Sequence, residues 1–134
     1  KIPHTKGAVG HSDADTLIHA MCDAFLGAAN LGDIGTHFPN SSEEFKGIDS
    51  KKLLKKVFEM LKKEGYEIGN VDCTVTLEAP KISPYIPEMK KVLAATLRIP
   101  EKNISIKATT TEKLGFVGKE EGVCAYAVCL LMGY

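Results

Sequence analysis

Apolar residues recur every three or four positions through Leu17, Met21, Phe25 and Ala28, which predicts a helix with one buried face. Ser12 precedes this run and Asp15 follows three residues later. That pair resembles a capping box with Asp in place of the usual Glu, so the helix is expected to open at Ser12 and to end at Asn30 and Gly32. Residues 1–10, with Pro3, Gly7 and Gly10, read as a short strand or loop. Beyond an irregular stretch at 30–48, Asp49 or Ser50 caps a second helix. Its apolar face is Leu53, Leu54, Val57, Phe58 and Leu61, and Gly65 closes it.

The period then changes from helical to alternating. Val71, Cys73, Val75, Leu77 and Ala79 point one way and Asp72, Thr74, Thr76 and Glu78 the other, as in a strand with one polar face. Pro80, Pro84 and Pro87 punctuate a turn. Ser83-Pro84 can open a third helix, with Met89, Val92, Leu93 and Leu97 toward the core and Pro100 stopping it. Ile104, Ile106 and Ala108 mark another strand. Residues 121–132 form a last strand that is apolar on both faces, and such a strand must be covered twice. One side can meet the domain's helices and the other a partner subunit. The order predicts an α/β (α+β) sandwich, with helices on one face of a mixed sheet.

Composition narrows the function classes. The 134 residues are enough for one domain, and 44% hydrophobic with 25% charged residues is ordinary globular composition. Lys+Arg and Asp+Glu both number 17, so the basic footprint of a nucleic-acid binder is absent. No apolar run approaches the ~18 residues of a membrane span. Cys22, Cys73, Cys124 and Cys129 form no C-x-x-C pair and sit in apolar patterns, where a free thiol behaves as a small hydrophobe and a reducing compartment is expected.

Four clusters could carry chemistry. Asp15, His19 and Asp23 fall at i, i+4 and i+8, on one side of the first helix. A His between carboxylates suits a metal, and His11 with the free N–H groups of a helix start suits a phosphate. A solvated polar stripe explains the same residues equally well. Asp33-Ile34-Gly35 and Phe38-Pro39-Asn40-Ser41-Ser42 could grip a polyol, although an ordinary surface loop accounts for them too. Lys107 to Phe116 place three hydroxyls and Glu112 after a strand, which suits phosphates and a divalent ion. The alternative there is a Thr109…Glu112 capping box. Glu78 to Pro84 read locally as a strand-to-helix turn.

In order, the segments HSDADTLIHAMCDAFLGAANLGDIG, FPNSSEEFKG, NVDCTV, APK and KATTTEKLGF resemble the 2-C-methyl-D-erythritol 2,4-cyclodiphosphate synthase family over nearly the whole chain. The resemblance implies a homotrimer of single domains over 1–134, each a mixed four-stranded sheet in a ferredoxin-like arrangement. It implies a phosphorus–oxygen lyase of non-mevalonate isoprenoid biosynthesis. The substrate would be 4-diphosphocytidyl-2-C-methyl-D-erythritol 2-phosphate, and the products the 2,4-cyclodiphosphate and CMP. His11 and Thr110 would be catalytic. His11 and Ser12 would contact the diphosphate, and Asp33, Ile34, Gly35, Phe38, Pro39, Asn40, Ser41 and Ser42 would surround the erythritol moiety. Ala79, Pro80, Lys81, Ile82 and Ser83 would line the cytidine pocket. Thr109, Thr110, Thr111, Glu112, Phe116 and Lys119 would complete the phosphate region. His19 would bind Zn2+ and Glu112 a second ion, Mg2+ or Mn2+. A bacterial cytoplasm or a plastid-type organelle is the implied location, with no nucleic-acid or membrane partner.

The sequence also departs from that pattern. The family's Asp-x-His, which supplies two further zinc ligands, has no counterpart before His11, and His4 does not match it. The expectation is that ~20 N-terminal residues, including one or more strands, precede the chain, since termini tolerate truncation. A degenerate, non-catalytic CMP- or phosphate-binding trimer is the alternative. Asn40 stands where many relatives carry Asp, which removes one charge. Lys119 stands where a family Arg lies near the trimer axis and Tyr126 where an axial Glu can occur, so isoprenoid diphosphate binding in a central cavity does not follow from the resemblance.

Overall fold

The computed structural model describes residues 7–39, 49–76, 86–109 and 124–133, and of residues 7–14 the backbone alone. Helix α1 runs Gly7–Ala28, α2 is the single turn Ile34–His37, α3 spans Ser50–Lys63 and α4 Ile86–Leu97. Strands are β1 (Tyr66–Thr76), β2 (Ile104–Thr109) and β3 (Cys124–Gly133). The sheet order is β2-β1-β3, with β1 parallel to β2 and antiparallel to β3. The expected mixed sheet is present, with three strands among the described residues.

Helices α1, α3 and α4 pack on one face of the sheet, against β3, β1 and β2 respectively. The core between the layers holds Leu17, Met21, Phe25, Leu26, Leu54, Val57, Val71, Cys73, Leu97 and Ile104, all essentially removed from water. Non-local apolar burial of this kind is the main favourable term in folding. Burial pushes the Cys22 and Cys73 thiols up to about 12, with the neighbouring Asp23 and Asp72 adding to the effect. Both are therefore packing groups and not nucleophiles.

Three expectations need correction. Residues 7–10 are helical, so Ser12 does not cap α1. Once a helix is nucleated, each added residue contributes a hydrogen bond, and no proline after Pro3 stops the extension. In α1, Ala28 is exposed, while Ile18, Cys22 and Leu26 extend the buried arc because both β3 and α3 lie against it. In α4, Val92 is 37% exposed and Ala94 is buried instead. Val92 lies about 100° round the helix from Leu93, on the side away from Ala94.

The helix ends follow the sequence signals more closely. Asn30 adopts φ 58°, the Leu31 N–H reaches the Leu26 carbonyl at 2.8 Å, and the Asn30 N–H reaches Gly27 at 3.0 Å, which is a Schellman closure. Asp49 caps α3 by accepting the Lys51 N–H at 2.8 Å, and Gly65 past its end has φ 86°. A register shift between Ile68 and Asn70 marks a bulge in β1.

Among the described residues, the other sheet face carries no helix. Tyr126, Val128, Leu130 and Met132 of β3 are 63%, 72%, 58% and 48% exposed. Beside them, on the same face, Lys107 of β2 bridges Asp72 of β1 at 3.0 Å and holds the Asp72 carboxyl below its ordinary value. The opposite face of β3, with Ala125, Ala127, Cys129 and Leu131, packs on the core. The two-sided apolar character expected of this strand is thus half satisfied within the chain. No helix among the described residues is long and apolar enough to cross a membrane.

Candidate active site

The polar stripe of α1 organises the helical side of the site. His19 is exposed between Asp15 and Asp23, one turn away in each direction. Both carboxylates have structural partners. Asp15 Oδ1 accepts the Ser50 hydroxyl at 2.6 Å, which ties the start of α3 to α1. Asp23 Oδ1 accepts the Ile34 N–H at 2.9 Å, which ties the start of α2 to α1.

The turn from Asp33 to Phe38 is fixed from within as well. Asp33 is the extended N-cap of α2 (φ −135°, ψ 177°), and its Oδ1 accepts both the N–H and the hydroxyl of Thr36 at 2.9 Å. The His37 ring donates through Nε2 to the Leu31 carbonyl, and Phe38 is buried in the core. Asp33, Ile34 and Gly35 are therefore a preformed turn standing beside the helix that carries His19. Thr36 and His37 were not singled out in the sequence. The spacing Asp-x-x-Thr is an N-cap signal that could have found Thr36.

The bonds from Thr36, N–H first and hydroxyl second, with His37 nearby, hold the Asp33 carboxyl below its ordinary value. A carboxyl with a lowered folded value stabilises the fold above its unfolded pKa of about 3.9, and that contribution disappears as pH falls through the folded value. The Thr36 amide resonance should accordingly titrate with a midpoint below about 3.9 when followed by NMR from pH 6 to pH 2. A midpoint at or above that value would mean the cap is not formed in solution.

The segments expected to line a phosphate region and a cytidine pocket join the described fold at one place. Thr76 of β1 is in register with Thr109 of β2 and with Cys124 of β3. Adjacent strands lie about 4.8 Å apart. Segments 77–85 and 110–123 therefore both leave the same end of the sheet, with Thr109 as the last described residue before the threonine run. Ala79, Pro80, Lys81, Ile82, Ser83, Thr110, Thr111, Glu112, Phe116 and Lys119 lie outside the described residues, as do Asn40, Ser41 and Ser42. His11 and Ser12 lie on the backbone of α1, past its first four residues. The unpaired N–H groups expected at His11 thus belong to residues 7–10, because the helix starts earlier than the cap signal indicated.

The described side chains do not by themselves make a zinc site. No group of three His, Cys, Asp or Glu side chains converges among them. His19 is one imidazole, its flanking carboxylates are engaged by Ser50 and Ile34, and a catalytic zinc takes three protein ligands.

With this geometry in view, comparison with known proteins is direct. The YgbB family model matches residues 1–132, and the chain belongs to the YgbB family. The 2-C-methyl-D-erythritol 2,4-cyclodiphosphate synthase of Porphyromonas gingivalis is 58% identical over 132 residues, covering 98% of this chain and 82% of that protein. The synthase of Parabacteroides distasonis is 60% identical over 131 residues, covering 98% and 81%. Among solved structures, the bifunctional IspDF from Campylobacter jejuni superposes with a TM-score of 0.85 at 39% identity, over 89% of this chain and 32% of that one. This chain thus spans about a third of the bifunctional protein. The Plasmodium falciparum IspF CDP complex gives 0.78 at 35% identity, over 88% and 70%.

Proposed function

We infer that this chain catalyses the closure of 4-diphosphocytidyl-2-C-methyl-D-erythritol 2-phosphate to the 2,4-cyclodiphosphate with release of CMP. The single observation that carries the reading is the register of Thr76, Thr109 and Cys124. It sets side by side, at one sheet end, the described strand ends that lead into the segments assigned to cytidine and to phosphates, which suits a cytidine diphosphate ligand. The similarity to a CDP complex at 35% identity supports the same ligand class.

In the reaction a 2-phosphate oxygen attacks the β-phosphorus, the bond from that phosphorus to the bridging oxygen breaks, and CMP departs with its electron pair. No water is consumed. Catalysis of this kind rests on positioning and on neutralising phosphate charge. His11, Ser12, Thr109 and Thr110 are the residues assigned to the diphosphate, with His11 and Thr110 acting at the transition state. Asp33 to Gly35 hold the polyol so that its 2-phosphate faces the β-phosphorus. The reading includes Zn2+ with His19 as this chain's ligand, and Mg2+ or Mn2+ with Glu112. No step is derived through either ion.

The proposed assembly is a homotrimer of four-stranded, ferredoxin-like domains, and the apolar stripe that β3 leaves exposed supports association through that face. The bacterial relatives favour the bacterial-cytoplasm half of the expected placement. Phosphorus–oxygen lyase is the corresponding class.

The test is CMP release. Incubation of the full-length protein with the substrate, zinc and magnesium should yield CMP in a one-to-one ratio to substrate lost, measured by anion-exchange chromatography. Asp33→Ala should lower kcat/KM by about tenfold or more, as for loss of a charged hydrogen-bonding group. Substrate that binds without CMP release would instead favour the degenerate binding trimer.

A further inference from the structure

Asp23 is exposed on α1 and takes no part in the core. Asp is also a poorer helix former than Ala, so nothing in the helix itself calls for an acid at this position. Its carboxylate makes a contact that is long in sequence: Oδ1 accepts the N–H of Ile34, eleven residues on, at 2.9 Å. Ile34 is the first residue of α2, where the N–H has no partner inside the helix. The internal bonds of the turn, from Thr36 to Asp33 and from His37 to Leu31, set its shape. The burial of Phe38 and the packing of Ile34 hold the turn against the core, and Asp23 adds a direct polar tie from the turn to α1, one helical turn from His19 on the same side.

We propose that Asp23 is a positioning residue for the cyclisation: its carboxylate anchors the Asp33–Gly35 turn at a fixed place relative to His19. The proposal rests on the functional reading above, in which that turn holds the polyol. Displacement of a substrate-holding group by about 1 Å can cost on the order of a hundredfold in rate. The required feature is a hydrogen-bond acceptor at this position, not a negative charge. An Asn side-chain carbonyl should therefore replace it in part, and Ala should not.

The experiment compares the metal-loaded full-length protein with its Asp23→Ala and Asp23→Asn variants by two readouts. The first is hydrogen exchange at the Ile34 amide, followed by NMR, which needs no turnover. It should accelerate about tenfold or more in Asp23→Ala, as for loss of a hydrogen bond to a charged group, and remain close to the parent rate in Asp23→Asn. The second is steady-state kinetics. Asp23→Ala should lower kcat about tenfold or more while leaving the affinity for CMP unchanged, and Asp23→Asn should recover most of the loss. Unchanged Ile34 exchange in Asp23→Ala would overturn the proposal. So would an Asn variant as impaired as the Ala variant in both readouts, which would make the charge, and not the acceptor, the working feature. Absence of turnover in the parent protein would defeat the functional reading and the positioning role with it, while the exchange result would still decide the Asp23–Ile34 bond on its own.

Discussion

Val128→Asp is expected to convert the proposed trimer into monomers. Val128 is the most exposed of four large apolar residues that line one face of β3, at 72%, with Tyr126, Leu130 and Met132 beside it. Contiguous apolar patches on a sheet face mark interaction surfaces. In an assembly this stripe would be buried, and a carboxylate placed there would lose its hydration opposite Asp72, its cross-strand neighbour, whose Lys107 partner is already engaged. Such a burial costs several kcal/mol, and every 1.4 kcal/mol is about tenfold in affinity. Association should weaken on the order of a hundredfold or more. The side chain points away from the helices, so the far-ultraviolet circular dichroism of the variant should match the parent. Sedimentation equilibrium checks the result. A trimer that persists in Val128→Asp would move the interface elsewhere on the molecule.

Phe25→Ala should give the largest loss of stability. Phe25 is wholly buried in the last turn of α1, a helix that packs against both β3 and α3. Removing the ring loses its transfer free energy and leaves a cavity that the sheet and helix can fill only in part. Such truncations cost about 3–5 kcal/mol, against a total of about 5–15 kcal/mol for a typical domain. Urea unfolding at fixed protein concentration should show a large fall in midpoint with little change in slope. A loss under about 1 kcal/mol would mean that the space around Phe25 collapses freely, contrary to a close-packed interior.

The parts of this fold that could be read in advance are those with an unbroken period. Leu53, Leu54, Val57 and Leu61 keep helical spacing from cap to close, and α3 is found with its Asp49 cap and its Gly65 end as expected. The strand β1 was legible from Val71 onward and not before. The shift between Ile68 and Asn70 puts Ile68 and Val71 on the same face, three residues apart, and so breaks the two-residue alternation. The start of α1 was misplaced because Ser12 and Asp15 carry a local cap signal. Asp15 in fact serves α3 through Ser50, a partner 35 residues away. The candidate site divides in the same way. His19 and Asp33 stood out by residue type and spacing. The partners that hold their surroundings, Ile34 to Asp23 and Ser50 to Asp15, are tertiary contacts with no periodic trace.

The most direct test of the central claim is phosphorus-31 NMR of the full-length protein turning over its diphosphocytidyl substrate with zinc and magnesium present. Cyclisation predicts two mutually coupled phosphorus resonances of a cyclic diphosphate, growing in step with the single resonance of CMP. Two uncoupled phosphate monoester resonances of a methylerythritol 2,4-bisphosphate in their place, beside CMP, would show that water, and not the 2-phosphate, attacks, and would contradict the account.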